Sequence, residues 1–198
     1  MKRLVLLAVM AAATTIASAQ IQFGVKAGLN LANINVSPST EGTSFKLSPN
    51  VTAGVLAYIP LVSKLGLQTE LLYSGQGSKL TSGAESGTYQ LGYFNVPVLL
   101  KYKDPSGFFI EAGPQVGFLL NAKVKSGGVS VDEKDSFKST DISGAFGIGY
   151  LSALNIGIDA RYNLGLSNIA KSGEDNNTKA KNGVAQISVF YMFGGKSK

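Results

Sequence analysis

Apolar and polar residues alternate with a period of two along most of the chain beyond residue 20, and this period is that of a β-strand. In the first run, Ile21, Phe23 and Val25 fall on one face, whereas Gln22 and Lys26 fall on the other. The same alternation recurs in later runs. The predicted strands cover residues 21–34, 51–59, 65–74, 94–102, 110–120, 141–150, 154–164 and 185–193. The pattern therefore predicts an all-β protein with eight strands.

The connections between these strands are alternately short and long. Short connections lie near residues 60–64, 103–107 and 151–153, and long ones at 35–48, 76–87, 121–140 and 168–181. The long connections hold most of the charged residues. An antiparallel meander with short turns at one end and long polar loops at the other is typical of a transmembrane β-barrel.

The two faces of the predicted strands differ in a way that favours a membrane. One face is nearly free of charge, whereas the other is rich in Gly, Ser, Asn and Gln with isolated charges. A soluble sheet would cover its exposed face with many Lys and Glu side chains. Charged residues make up 15% of this chain, compared with about 25% in ordinary soluble domains. We therefore predict an eight-stranded antiparallel up-and-down transmembrane β-barrel with its apolar face toward lipid.

Aromatic residues fall near the ends of the predicted strands, where membrane barrels carry interfacial girdles. Some of them are expected to form such girdles. The candidates are Phe23, Tyr58, Tyr73, Phe94, Tyr102, Phe108, Phe109, Tyr150, Tyr162, Tyr191 and Phe193.

The first residues have the features of a secretory signal peptide. A short basic segment, Met1-Lys2-Arg3, precedes an apolar stretch at residues 4–16 and the small-residue pattern Ala17-Ser18-Ala19. The apolar stretch is short for a membrane span, which needs about 20 residues. We predict cleavage between Ala19 and Gln20, a signal peptide at 1–19 and a barrel domain at 20–198.

The composition excludes most catalytic chemistry. The chain has no Cys, His or Trp, so it has no disulfide, no thiolate or imidazole zinc site and no histidine base. Glu70 and Glu111 form a conceivable acid–base pair, but a filled lumen offers no cleft for a sugar. We expect no enzyme activity, no metal and no cofactor. The basic residues are dispersed and form no stripe, so no nucleic acid is expected as a partner.

The strand phase places polar side chains inside the predicted barrel. An eight-stranded barrel is just wide enough for its interior side chains to fill it. The predicted inward set includes Gln68, Gln115 and Gln186. Buried charges need partners, so we predict a structural salt-bridge network, centred on Arg161, that closes the pore. Its members are Lys26, Glu70, Lys101, Glu111, Asp159 and Arg161.

Four segments carry a family resemblance. They are FGVKAGLN at 23–30, NVPVLLKY at 95–102, EAGPQVG at 111–117 and DARYNLGL at 159–166. In order and spacing they resemble the PorT-like outer-membrane β-barrel family of Gram-negative bacteria. The resemblance implies insertion into the cell outer membrane, contact with its lipid, and recognition by the barrel assembly machinery during biogenesis. One departure is that residues 194–198 follow Phe193, whereas such barrels tend to end on an aromatic residue.

Three functions remain open from the sequence. The first is a non-catalytic outer-membrane barrel with a structural or interaction role, whose loops or periplasmic turns bind a protein partner; the resemblance to PorT implies an association with secretion. The second is a narrow channel for ions or small solutes. The third is a soluble periplasmic barrel that binds an apolar ligand as lipocalins do, with its apolar face inside.

Overall fold

The computed structural model describes residues 21–37, 43–82, 85–126, 129–171 and 179–193. Within these ranges the chain is almost entirely β-strand, with one single-turn 3-10 helix at Lys134–Ser136. No helix in the described ranges has the length and apolar character needed to cross a membrane. The strands are β1 (Gln22–Ser37), β2 (Thr43–Val62), β3 (Leu65–Ser82), β4 (Glu85–Lys103), β5 (Phe108–Ser126), β6 (Val129–Asp132), β7 (Thr140–Leu151), β8 (Ile156–Gly165) and β9 (Lys179–Phe193).

The sheet closes on itself to form a barrel. Each strand is antiparallel to its neighbours, and β1 pairs with both β2 and β9, so that Phe23 lies between Ala57 and Phe193. Among the described residues, β4 pairs with β5 and β5 with β7. The four-residue β6 pairs beside the last four residues of β5, at the long-connection end. The other eight strands form the closed ring. The predicted eight-stranded antiparallel barrel is confirmed.

The strands are longer than predicted at the end with the long connections. β3 runs to Ser82 and β4 starts at Glu85, so most of the predicted loop 76–87 is a β-hairpin. Strand also replaces parts of the predicted loops 35–48, 121–140 and 168–181. The prediction of loops was wrong here because Gly, Ser and charged residues break up the alternation of apolar and polar residues in these segments. Backbone pairing to a neighbouring strand extends them, and it needs no apolar face.

The apolar face of the barrel points outward. Phe23, Leu29 and Ile148 are 59%, 62% and 64% exposed, whereas Lys26 and Arg161 are each 3% exposed. The soluble alternative, with an apolar interior and a ligand like that of a lipocalin, is therefore wrong. In a membrane the exposed apolar side chains contact lipid, and closing the sheet satisfies the backbone groups that an open edge would leave unpaired.

Aromatic side chains form a girdle at the short-turn end. The rings of Phe108 and Tyr150 have centroids 5.0 Å apart, and those of Tyr191 and Phe193 are 5.4 Å apart. All four of these side chains are exposed on the outer face. Two candidates do not belong to the girdle, because Tyr58 and Phe109 are buried in the lumen. Their positions on the strands place them on the inward face.

The turn between β4 and β5 is held by its own side chains. The Asp104 carboxylate accepts hydrogen bonds from the Ser106 backbone N–H at 3.0 Å and from the Ser106 hydroxyl at 2.8 Å. Gly107 has φ +102°, a value that favours glycine. Lys64, in the preceding short turn, lies 3.2 Å from Asp104. The hydrogen bonds from Ser106, with the ion pair to Lys64, hold the pKa of Asp104 below its usual value.

Candidate functional site

The centre of the lumen is occupied by charged side chains from five strands. Lys26 comes from β1, Glu70 from β3, Lys101 from β4 and Glu111 from β5, while β8 contributes both Asp159 and Arg161. All six are nearly inaccessible to solvent. Successive side chains of a strand point to opposite faces of the sheet, so each of these residues faces the lumen while its two neighbours face outward. The burial pattern of β8, which alternates at every residue, shows this directly. The structure thus brings all six predicted residues into the lumen.

Arg161 is the hub of this network. Its Nη1 and Nη2 atoms each donate a hydrogen bond of 2.8 Å to the two carboxylate oxygens of Glu70. Its Nε atom donates to Glu111 Oε1 at 3.0 Å, and Nη2 also contacts that oxygen. The guanidinium fork matches the geometry of carboxylates, and such paired, charge-assisted hydrogen bonds are among the strongest in proteins. Both carboxylates are therefore held by one cation.

The two lysines complete the charge balance. Lys26 Nζ lies 3.0 Å from Glu70 Oε1 and 2.7 Å from Asp159 Oδ2. Lys101 Nζ lies 3.1 Å from Glu111 Oε2. Three cations thus face three carboxylates in one continuous cluster. Each charge is paired, which is the condition for burying it at tolerable cost.

Gln68 connects the two halves of the network. Its amide oxygen accepts a hydrogen bond from Lys101, and its amide nitrogen donates to Glu70. Gln68 belongs to the predicted inward set, but its bridging role depends on a side-chain geometry that strand phase does not specify. Lys101 also lies 3.7 Å from the centroid of the Phe109 ring, within the range of a cation–π interaction.

An apolar layer closes the lumen between the network and the short turns. We call it the lower apolar layer, and it consists of Leu56, Tyr58, Phe109, Phe190 and Met192, with Leu151 packed against them. Glycines make room for its rings. The rings of Tyr58, Phe109 and Phe190 lie where a side chain at Gly66, Gly149 and Gly157, respectively, would place its Cβ atom. This layer was missed in the sequence, although strand phase places Tyr58 on the polar face of β2.

Polar side chains fill the lumen on the other side of the network. Asn30 donates to Ser74 Oγ at 2.9 Å, and Gln115 donates to Ser143 Oγ at 3.2 Å. Closer to the long hairpins, Asp141 accepts hydrogen bonds of 2.8 Å from both Asn182 and Ser167. The side chains of this polar layer satisfy much of one another's hydrogen-bonding capacity, as buried polar groups require.

A second apolar layer lies at the long-hairpin end. We call it the upper apolar layer, and its rings and aliphatic side chains pack directly over the polar layer. Its members are Ile34, Leu91, Tyr93, Leu119, Ala122, Ile169 and Ala180, with Val36, Tyr89, Phe137 and Ala170 against them. The lumen is therefore filled from one end to the other by an apolar, a charged, a polar and a second apolar layer.

The acidic side chains of Asp132 and Glu133, at the connection between β6 and β7, make local hydrogen bonds. Among the described residues, no group of three or more His, Cys, Asp or Glu side chains is arranged to hold a metal ion. The acidic segment of the long connection is used locally: Asp132 accepts the Lys134 backbone N–H at 3.0 Å, and Glu133 accepts the Ser136 hydroxyl at 2.7 Å. The predicted cleavage site between Ala19 and Gln20 lies outside the described residues.

The closed barrel, its apolar exterior and its filled polar lumen define the class of integral β-barrel membrane proteins. The chain belongs to the outer membrane protein beta-barrel domain family, whose family model matches residues 14–171. It is an integral protein of the cell outer membrane. The predicted location is confirmed. No curated relative matches the sequence.

Solved structures support the same architecture. Neisserial surface protein A is 17% identical, with a TM-score of 0.56, and the match covers 86% of this chain and 97% of that one. The outer membrane protein OprG from Pseudomonas aeruginosa is 15% identical, with a TM-score of 0.50, over 88% of this chain and 96% of that one. At these identities the likeness concerns the fold. The family model and these two structures support the general family, and the finer assignment to PorT stays a proposal.

Proposed function

We propose that this protein is a non-catalytic outer-membrane barrel with a closed lumen, whose role is structural or depends on partners bound at its surfaces. The observation that carries the proposal is the Arg161 network between two apolar layers. A solute crossing the lumen would have to displace paired charges and both apolar layers. Glu70 and Glu111 are both engaged by Arg161, which supports a structural role for this pair.

The surfaces available for a partner are the long hairpins and the short turns. The hairpin of β3 and β4 continues well beyond the lipid-facing residues Tyr73 and Phe94 and exposes Lys79. We further propose that a protein partner binds at one of these two ends, with an association with secretion as the resemblance to PorT implies. A photo-crosslinking residue at Ser130 or at Ser106 would sample the two ends separately. Crosslinks at neither position, with normal cargo secretion by a deletion strain, would oppose this part of the proposal.

Conductance in planar bilayers tests the closed lumen. Refolded wild-type protein should give no stepwise current. A variant with Arg161→Ala, Phe190→Ala and Tyr93→Ala removes the hub of the network and one ring from each apolar layer, and it should conduct. The matched control is Phe193→Ala, which removes an aromatic side chain that faces lipid and should stay silent. Steady wild-type currents that change with Arg161→Lys would instead support the narrow channel.

A further inference from the structure

Three exposed lysines form a compact group outside the lumen, on the hairpins of the long-connection end. Lys79 on β3 is opposite Thr88 on β4, and Thr88 is opposite Lys125 on β5. Lys123 lies two residues before Lys125 on the same face of β5, opposite Gln90. All three lysines are exposed. We call Lys79, Lys123 and Lys125 the lysine row.

The spacing of the row allows its ammonium groups to converge. Adjacent strands lie about 4.8 Å apart, so the backbones at Lys79 and Lys125, separated by β4, are about 10 Å apart. Lys123 and Lys125 are about 7 Å apart along one strand. Lysine has a long flexible stem that carries a compact charge with three donors. Thr88, between the outer two lysines, adds a hydroxyl group. A tetrahedral anion seated over Thr88 is within reach of all of them.

The row carries an excess of positive charge. Among the described residues, none of the three lysines has a carboxylate within ion-pair distance, whereas the lumenal lysines and Lys64 all do. The nearest acid by strand register is Asp132, opposite Lys123. Its carboxylate accepts the backbone N–H of Lys134 and makes no ion pair with the row. The group therefore keeps a net positive charge.

The row lies on the outer surface of the hairpins, beyond the lipid-facing residues of the same strands. On β3, Lys79 is the first charged residue after Tyr73. On β5, Lys123 is the first charged outward residue after Leu120, which is 47% exposed. Headgroups of the surrounding lipid occupy the zone next to the hydrocarbon. In bacterial barrels the long connections are extracellular, so this is the outer leaflet.

We propose that the lysine row binds the phosphate-bearing headgroup of a glycolipid in the outer leaflet. Charge complementarity and continuity with the lipid-facing surface favour this occupant, since the acyl chains would lie along the apolar face below while the phosphate meets the ammonium groups. The inference depends on the outer-membrane location and is independent of whether the lumen is closed.

Binding of lipid A with both phosphates to the refolded full-length protein in detergent micelles tests the proposal. One lysine near an anionic lipid surface is worth about fivefold in affinity, so K79Q/K123Q/K125Q should weaken binding by about a hundredfold. The matched control K134Q/K171Q/K179Q removes the same charge from the same end of the barrel and should change binding by less than about threefold. Lysine-to-arginine replacement of the row should retain binding, since arginine also pairs with phosphate.

Two further ligands show whether binding needs the phosphate groups and whether it needs the rest of the lipid. Dephosphorylated lipid A should bind no more tightly to wild type than to the K79Q/K123Q/K125Q variant, and inorganic phosphate alone should bind far more weakly than the lipid. The proposal fails if the two glutamine triples lose affinity equally, if the row variant binds normally, or if free phosphate binds as well as the lipid. Unheated gel mobility, compared for all variants, shows that each one is folded.

Discussion

At the residue scale, the charged network in the lumen depends on Arg161 being an arginine. Arg161 offers five donors in a rigid fork and can hold two carboxylates at once. Lysine in its place would keep the charge but lose the paired hydrogen bonds to Glu70 and Glu111. The partners of Arg161 lie 91 and 50 residues away in the sequence, so the hub ties β8 to β3 and β5 across the lumen.

Removing the hub should destabilise the barrel strongly. Arg161→Leu leaves Glu70 and Glu111 buried with fewer cations than the network needs, and breaking a buried ion pair in this way costs about 3–5 kcal/mol of unfolding free energy. Urea unfolding of the protein in lipid vesicles measures this loss. Arg161→Lys should recover part of it. A change below about 1 kcal/mol for Arg161→Leu would show that the network is not a stabilising unit.

A second residue-scale prediction concerns the glycines that accommodate rings. Gly157→Ala places a methyl group in the space of the Phe190 ring, and overpacking of this kind costs about 1–3 kcal/mol. The control is Gly144→Ala, where the added Cβ would lie 3.4 Å from the Phe146 ring, an ordinary contact. Phe190→Leu should partly rescue Gly157→Ala in the same unfolding assay. Equal effects at Gly157 and Gly144 would contradict the packing argument.

At the element scale, the hairpins extend the barrel beyond its apolar surface. The pairing of β3 with β4 continues without interruption from Leu72 and Asn95 to Ser82 and Glu85. The bonds that hold this extension are between backbone groups, which do not depend on the apolar alternation of side chains. The alternation marks the part of a strand that meets lipid, and it ends where the surroundings become polar.

Hydrogen exchange distinguishes these hairpins from loops. Backbone amides at residues 76–79 and 87–90 should be protected as a group in the protein embedded in nanodiscs, because their strands are paired. The exposed turn residues Ala153 and Leu154 provide a reference within the same sample. Exchange of both segments at the rate of that turn would mean that the hairpin is not formed in the membrane.

At the scale of the whole molecule, closure of the ring is the source of cohesion. Every strand of the ring has two neighbours, so no edge is left open among the described strands of the barrel. The filled lumen adds side-chain contacts between strands that are not adjacent. Opening such a barrel requires many backbone pairs and the lumenal network to break together.

This closure should be visible on gels. Unheated protein in SDS should migrate faster than boiled protein, because the intact barrel stays compact and binds less detergent. Arg161→Leu should convert to the slow form at a lower temperature than wild type, whereas Phe193→Ala should convert close to the wild-type temperature. Identical mobility of heated and unheated wild-type samples, with the protein in the membrane fraction, would argue against a detergent-resistant barrel.

The sequence by itself determined the number of ring strands, the face that meets lipid and the charged side chains that enter the lumen. The reason is local: a pleated strand sends successive side chains to opposite sides, so residue order alone assigns faces. The same alternation places Tyr58 on the inward face, although its position near a strand end made it a candidate for the aromatic girdle.

Only the tertiary structure decided which inward residues meet. Arg161 could have paired with any of the inward carboxylates, and the closed ring with its stagger selected Glu70 and Glu111. The tertiary structure likewise decided the contact of the Phe190 ring with Gly157 and the length of the polar hairpins. They depend on distances across the lumen and on backbone pairing between strands, and neither is encoded in the alternation along one strand.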